Sequence, residues 1–391
     1  MTFKKKRWDL FCHVVDNLGD IGFAWRLARQ LVAEHAQQVR LFLDDFAAFA
    51  HICPQVQVKA AEQTVAGVQV VQWSRQQQAT PGDVVIELFG CNPSDAYIAQ
   101  IARARTPPVW LNLEHLSAET WVDQHHLKPS PQPGGIVKYF YYPGFTDRTG
   151  GLLRERALTA QRDAWQMQPS ARRIALRTLG LPPPPEHALT VLLFSYARAH
   201  LDGWLGAMAA GPRPTSLWVC PGPAVQAINS WLDMDLLNGQ VTSRGSLTVS
   251  ALPYVAQERF DELLWASDVC IVRGEDSFVR AQWAAKPFVW HIYPQDDGAH
   301  HRKLDAFLDR YLADAGSELR DAVIHLWTAW NRDLDLAPAW MEFVTHLPAL
   351  KRHAVAWARK LENRPDLASQ LVAEIARLGA GQPASSAVDR G

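Results

Sequence analysis

Four carboxylates and one arginine, gathered at two turns, are the residues of this chain best suited to chemistry. Asp16 and Asp20 flank Asn17-Leu18-Gly19, directly after the apolar run Trp8–Val15. Two carboxylates four residues apart, one at a strand exit and one near a helix start, suit a cationic acceptor or proton abstraction. They would repel a phosphate. A dinucleotide site at this place would show GxGxxG so that backbone could approach a pyrophosphate, whereas only Gly19 and Gly22 are present. The plain alternative makes Asp20 a helix cap and puts Asp16 in an Asx turn. The second turn, Arg273-Gly274-Glu275-Asp276-Ser277, has the opposite character. Gly274 allows a sharp turn after the apolar run Val269–Val272, and the residues after it supply side chains that can cap a helix. The amides and positive dipole end of that helix then face outward, where a diphosphate fits. The plain alternative is an ordinary βαβ unit with a well-capped helix.

The elements that must position these turns alternate along the chain. Trp8–Val15 reads as a strand, Ile21–His35 as an amphipathic helix and Val39–Leu43 as a strand. Further strands are expected at 68–73, 84–89, 109–113 and 136–142, and a charged helical stretch runs from Gly150-Gly151 through Arg177. Gly150-Gly151 suits a plain turn or a lid hinge. Pro182–Pro185 cannot sit inside a helix and forms a semi-rigid connector. A second alternating series follows at 189–194, 216–220, 247–251 and 269–272, with another strand over Pro287–Tyr293. The pattern is helical from about residue 300 to Leu378, and the tail from Gly379 reads as disordered. Two such halves predict an α/β chain of two doubly wound, Rossmann-like domains facing each other across a cleft, a layout that resembles the GT-B glycosyltransferases. The expected boundaries are 1–181 for an acceptor domain, 182–365 for a nucleotide-sugar donor domain, and 366–391 for a helix end and tail.

Composition narrows the function classes. At 391 residues the chain exceeds one typical core. A net charge of -1 argues against a general nucleic-acid or anionic-membrane binder, which needs a basic surface. The five cysteines include no CxxC pair, and several lie in apolar runs, so buried free thiols in a reducing compartment are expected. The basic start Lys4-Lys5-Lys6-Arg7 is followed by Asp9 and Asp16 rather than by a signal-peptide apolar region, and no apolar stretch reaches membrane-spanning length. A cytoplasmic protein is expected. Asp233-Met-Asp235 and Asp333-Leu-Asp335 resemble DxD metal motifs but lack a strand ending at them, so capping or solvated aspartates are expected. The adjacent pairs His125-His126 and His300-His301 should diverge and stay on the surface, and no metal is expected.

Combined, Asp16-Asn-Leu-Gly19-Asp20-Ile-Gly with Trp25-Arg26-Leu-Ala-Arg-Gln-Leu, and Arg273-Gly-Glu275-Asp276-Ser277-Phe278, resemble the bacterial protein-arginine rhamnosyltransferases that modify elongation factor P. The likeness runs from Trp8 to about Leu371. It implies inverting transfer of rhamnose from dTDP-β-L-rhamnose to an arginine side-chain nitrogen of elongation factor P, which activates that factor to relieve ribosome stalling at polyproline. It also implies the GT-B fold, no metal and no other cofactor, no nucleic acid and no membrane. Carried onto this chain, Asp16, Asp20 and Glu275 match the family's essential carboxylates. Donor contacts fall on Phe194, Tyr196, Tyr254, Gln257, Arg273, Asp276, Ser277 and Tyr293, with Tyr254 and Gln257 holding the base. Tyr254 stands where the family pattern has phenylalanine, and a tyrosine ring stacks equally on a base.

Two other classes compete. A GT-B enzyme with a lipid acceptor calls for a basic or amphipathic membrane face, which the neutral charge balance does not suggest, and one with a carbohydrate acceptor keeps the same fold. A non-catalytic nucleotide-sugar sensor, or a scaffold binding elongation factor P, has no need of three carboxylates near an anionic ligand.

Overall fold

The computed structural model describes residues 5–381 apart from Asn17 and Glu186. The chain forms two compact units, 1–156 with 363–391 and 157–362. These bounds differ from the expected ones. Helix Leu158–Met167 packs within the second unit, where Arg162 donates to the Trp283 carbonyl at 2.8 Å and Trp165 lies 5.9 Å from Trp265. Helix Leu367–Gly379 returns to the first unit, burying Leu367, Leu371, Val372 and Ile375 in its core. The tail from Gln382 lies outside the described residues.

The first unit holds eight strands: β1 (Arg7–Cys12), β2 (Gln38–Leu43), β3 (Glu62–Val65), β4 (Val68–Gln72), β5 (Val84–Leu88), β6 (Val109–Leu113), β7 (Pro129–Pro131) and β8 (Val137–Tyr141). They lie in the order β3-β4-β2-β1-β5-β6-β8-β7, parallel except where β3 and β7 add antiparallel edges. β1 shows why the sheet is doubly covered. Trp8, Leu10 and Cys12 face a core shared with helix Leu18–His35, while Phe11 faces the opposite cluster with Phe42, Val85 and Tyr97. Buried Asp9 accepts both hydrogen bonds of the Arg40 fork at 2.6 Å, one from the Gly82 amide at 2.6 Å and one from the Tyr97 hydroxyl. That network fixes β1 against β2 at the end away from the acidic turn.

The second unit holds β9 (Leu189–Leu193), β10 (Thr215–Val219), β11 (Val241–Arg244), β12 (Leu247–Ala251), β13 (Val269–Arg273) and β14 (Phe288–His291). Their order is β11-β12-β10-β9-β13-β14, with only β11 antiparallel. In each unit the chain builds outward on one side, then returns to build on the other. The reversal falls between β1 and β5 in the first unit and between β9 and β13 in the second. Open α/β sheets bind ligands at such a reversal, beyond the carboxyl ends of the strands.

The stretch 150–157 is not helical, against expectation. Gly151 is left-handed, at φ +72°, and a Cβ there would meet the Pro365 carbonyl at 2.9 Å. Gly151 thus admits the returning C-terminal segment, while Gly150 lies against the Tyr141 ring. Among the described residues no helix is long and apolar enough to cross a membrane.

Candidate active site

Both polar turns of the sequence sit at the two reversal points. In the first unit β1 ends at Cys12 and helix Leu18–His35 begins after the turn. Asp20, in the first helical turn and 7% exposed, reaches back so that Oδ2 accepts from the amides of Val15 at 2.9 Å and Asp16 at 2.8 Å. Asp20 thereby holds the turn that precedes the helix. The structural and chemical readings of Asp20 therefore coexist. Burial pushes the Cys12 thiol up, and the nearby Asp20 charge adds to the shift, which keeps this thiol protonated beside the site. Asp44, at the exit of β2, accepts from the Val14 amide at 3.0 Å and pairs with His13 at 2.7 Å.

Gly19 has a packing reason within the first helical turn. A Cβ at this position would lie 2.5 Å from Asp16 Oδ2 and 3.1 Å from its Cγ, so the Asp16 carboxylate lies over the glycine. Gly19→Ala should favour the helix by about 0.5–1 kcal/mol and displace that carboxylate. The expected outcome is an unchanged or higher melting temperature with turnover down by up to roughly a hundredfold, the cost of misplacing a site group. Parallel melting and rate measurements check it; an active, normally folded variant contradicts it.

In the second unit β13 delivers Arg273, and Gly274 turns at φ +61° into helix Asp276–Trp283. Arg273 is 6% exposed, with its guanidinium carbon 4.7 Å from the Phe194 ring centre and 4.8 Å from that of Tyr196. Both rings follow β9, across the reversal point. No carboxylate pairs with this guanidinium among the described residues. Tyr293 stands edge-on to Tyr196 at 5.4 Å. Behind Tyr196, His291 contacts the ring edge at 5.2 Å and shares a 2.7 Å hydrogen bond with Ser195. Burial, with Arg198 and Arg273 nearby, lowers the His291 pKa to about 3, so it is neutral and adds no charge to the pocket.

The helix start differs from the sequence expectation. Glu275 occupies the cap position without a side-chain capping bond, and its Oε1 pairs with Lys303 Nζ at 3.2 Å. Ser277 closes the turn: its hydroxyl donates to the Arg273 carbonyl and accepts from the Arg273 amide at 3.2 Å. Gln257 donates to Asp276 at 3.3 Å, linking the starts of two helices. One turn further along both helices, Arg280 and Asp261 form a buried pair, with Nε to Oδ1 at 2.7 Å. Phe278 stacks on Trp290 at 3.8 Å, and the Trp290 indole donates to the Gly274 carbonyl at 2.7 Å. The turn is thereby preorganised from both sides. Tyr254, 42% exposed, lies on the segment leading into helix Gln257–Ala266.

The remaining candidates resolve locally. Asp333 accepts from the amides of Ala199 and His200, and Asp335 from that of Ala337 at 3.0 Å. Asp233 sits in a left-handed C-cap. His300 and His301 correct their expectation, since the rings lie 4.1 Å apart and His300 is buried. Among the described residues no group of three or more His, Cys, Asp or Glu is placed to hold a metal ion. Four cysteines are buried, Cys91 is half-buried, and all five are free thiols.

Sequence reasoning missed Lys303, His291 with Ser195, and Asp44. Only Asp44 had a signal, its place immediately after a strand.

Two mainly parallel sheets with polar turns at their reversal points are the architecture of the GT-B fold. The fold matches the calicheamicin glycosyltransferase CalG4 with a TM-score of 0.50 at 14% identity, covering 98% of this chain and all of that one. Residues 8–376 match the family model described as Elongation-Factor P (EF-P) rhamnosyltransferase EarP, and the chain belongs to this family of protein-arginine rhamnosyltransferases. A protein-arginine rhamnosyltransferase of Pseudomonas putida is 49% identical over 370 residues, 94% of this chain and 98% of the relative. A solved structure concerning EarP-mediated arginine glycosylation of translation elongation factor EF-P is 37% identical, with a TM-score of 0.67 over 94% of this chain and 98% of that one.

Proposed function

We propose that this enzyme transfers L-rhamnose from dTDP-β-L-rhamnose to an arginine side-chain nitrogen of translation elongation factor P, with inversion at the anomeric carbon. The observation that carries the donor half is the Arg273 guanidinium, buried between Phe194 and Tyr196 with no carboxylate partner among the described residues. A buried cation without a counter-charge seeks an anion, and the uncapped helix start beside it supplies amides for the same ligand. In this reading those groups stabilise the departing diphosphate, and no metal is needed for that role. Lys303 offsets the charge of Glu275, so this carboxylate can approach the sugar beside an anionic leaving group.

The acceptor half follows from the chemistry of guanidinium. Its pKa lies above about 12 and its charge is delocalised, so it is a poor nucleophile that must lose a proton as it attacks. Asp16 and Asp20 grip its fork of N–H donors and aim one nitrogen at the anomeric carbon. The N–C bond forms, the C–O bond to the diphosphate breaks, and the proton passes to Asp20. Elongation factor P as the acceptor is supported by the relatives described above.

The test is intact-mass analysis of elongation factor P incubated with the enzyme and donor. One added deoxyhexose is expected with dTDP-rhamnose and none when the target arginine is replaced by lysine, whose compact ammonium cannot be gripped as a fork. Equal modification of the lysine variant would replace this reading with a broader amine glycosyltransferase.

A further inference from the structure

Strands β9, β13 and β14 end side by side at the donor turn, with β13 in the middle. Arg273 closes β13 and pairs in register with His291, which closes β14. Ser195 lies two residues beyond β9, on the other side of β13 from His291. The 2.7 Å hydrogen bond between Ser195 Oγ and His291 Nδ1 therefore spans the end of the strand that delivers Arg273. Its direction follows from proton counting. Ser195 Oγ also lies 3.0 Å from the Tyr196 carbonyl, which can only accept, and the hydroxyl has a single proton to give. Giving that proton to the carbonyl, with His291 donating from Nδ1, satisfies all three groups; the opposite direction leaves the carbonyl contact without a proton. The chain thus runs from His291 through Ser195 to the backbone of Tyr196. One helix, Ser317–Asn331, anchors both ends of this bridge. Arg198, three residues past Ser195, donates to the Ala329 carbonyl at 2.9 Å, and the Ile292 amide, next to His291, donates to Asn331 Oδ1 at 3.0 Å.

We propose that His291 is a positioning residue of the donor site: through Ser195 it sets the backbone of Tyr196, and with it one of the two rings that hold the Arg273 guanidinium. The inference rests on the donor reading of that guanidinium given above. The imidazole fixes residue 196 twice, by the chain to its carbonyl and by the edge contact with its ring at 5.2 Å. A neutral imidazole supplies the N–H donor without placing a second charge behind the cation that meets the diphosphate. Its effect is therefore on donor affinity, and neither His291 nor Ser195 meets the reacting atoms.

Titration calorimetry of dTDP into the whole enzyme tests this in Ser195→Ala, His291→Leu, His291→Asn and the double variant Ser195→Ala/His291→Leu. Each of Ser195→Ala and His291→Leu should weaken dTDP by about tenfold, the worth of a broken buried hydrogen bond. The double variant should lose no more than either single one, because all three break the same chain. His291→Asn offers an amide N–H in place of Nδ1–H and should stay within about threefold of the wild type. Turnover at saturating substrates should change little in every variant. A merely structural role would lower melting temperatures and leave dTDP affinity alone. Wild-type affinity in folded Ser195→Ala and His291→Leu, losses that add in the double variant, or an Asn variant as weak as the Leu one would overturn the assignment. Should His291→Leu fail to fold, Ser195→Ala decides it, since that change removes only one oxygen from the chain. Absence of dTDP binding by the wild type would instead remove the donor reading, and this role with it.

Discussion

Asp20→Asn is expected to keep both substrates bound while turnover falls by on the order of a hundredfold or more, the loss typical of a removed general base. The geometry makes asparagine the diagnostic replacement. Asp20 Oδ2 accepts the Val15 and Asp16 amides, and an amide oxygen accepts the same two bonds. The β1-to-helix turn therefore survives. What is lost is the negative charge and the ability to take a proton from the attacking guanidinium. Asp20→Ala would confuse the two roles, because it also removes the two hydrogen bonds that hold the turn. Single-turnover rates with saturating donor and acceptor, beside affinities for each, separate binding from chemistry. Near-normal rates in a folded Asp20→Asn variant would leave Asp20 as a turn residue only.

Arg273→Ala should weaken dTDP binding by about a hundredfold, within the range for removing one partner of a buried charge-assisted contact. Phe194 and Tyr196 remain to stack, but they carry no positive charge to meet a diphosphate. The rise in melting temperature that dTDP gives the wild type should shrink in proportion, because ligand stabilisation follows affinity by mass action. Arg273→Lys should restore little of it. Lysine keeps the charge but not the planar group that lies between two rings at 4.7 and 4.8 Å. Titration calorimetry showing wild-type dTDP affinity in a folded Arg273→Ala variant would remove this anion site.

The sheets were legible in the sequence where burial is two-sided. Leu189-Thr-Val-Leu-Leu193 and Val269-Cys-Ile-Val-Arg273 are continuous apolar runs because both faces of their sheet are covered, and the structure places β9 and β13 over them. The antiparallel edges were not legible. Glu62-Gln-Thr-Val65, Pro129-Ser-Pro131 and Val241-Thr-Ser-Arg244 form β3, β7 and β11, short and largely polar strands that pair on one side only. The unit boundary was hidden for a different reason. The four prolines attract attention locally, but the last helix is recruited to the first unit by contacts spanning hundreds of residues, such as Gln30 to Asp366 at 3.1 Å.

The same division holds at the site. Both turns are contiguous motifs whose chemistry follows from residue type and position after a strand. Lys303 meets Glu275 from 28 residues away, and Ser195 meets His291 from 96. No local pattern encodes those partners. Ser277 carries a second role that the local sequence does not reveal: its hydroxyl closes the turn onto the Arg273 backbone.

The central claim is transfer of rhamnose to an arginine nitrogen with inversion. Its most direct test is the structure of the product, determined by fragmentation mass spectrometry and NMR of elongation factor P modified in vitro from dTDP-β-L-rhamnose. The account predicts one deoxyhexose on a single arginine, attached through a guanidino nitrogen in the α configuration. A β linkage, or sugar found on lysine, serine or scattered arginines, would contradict it.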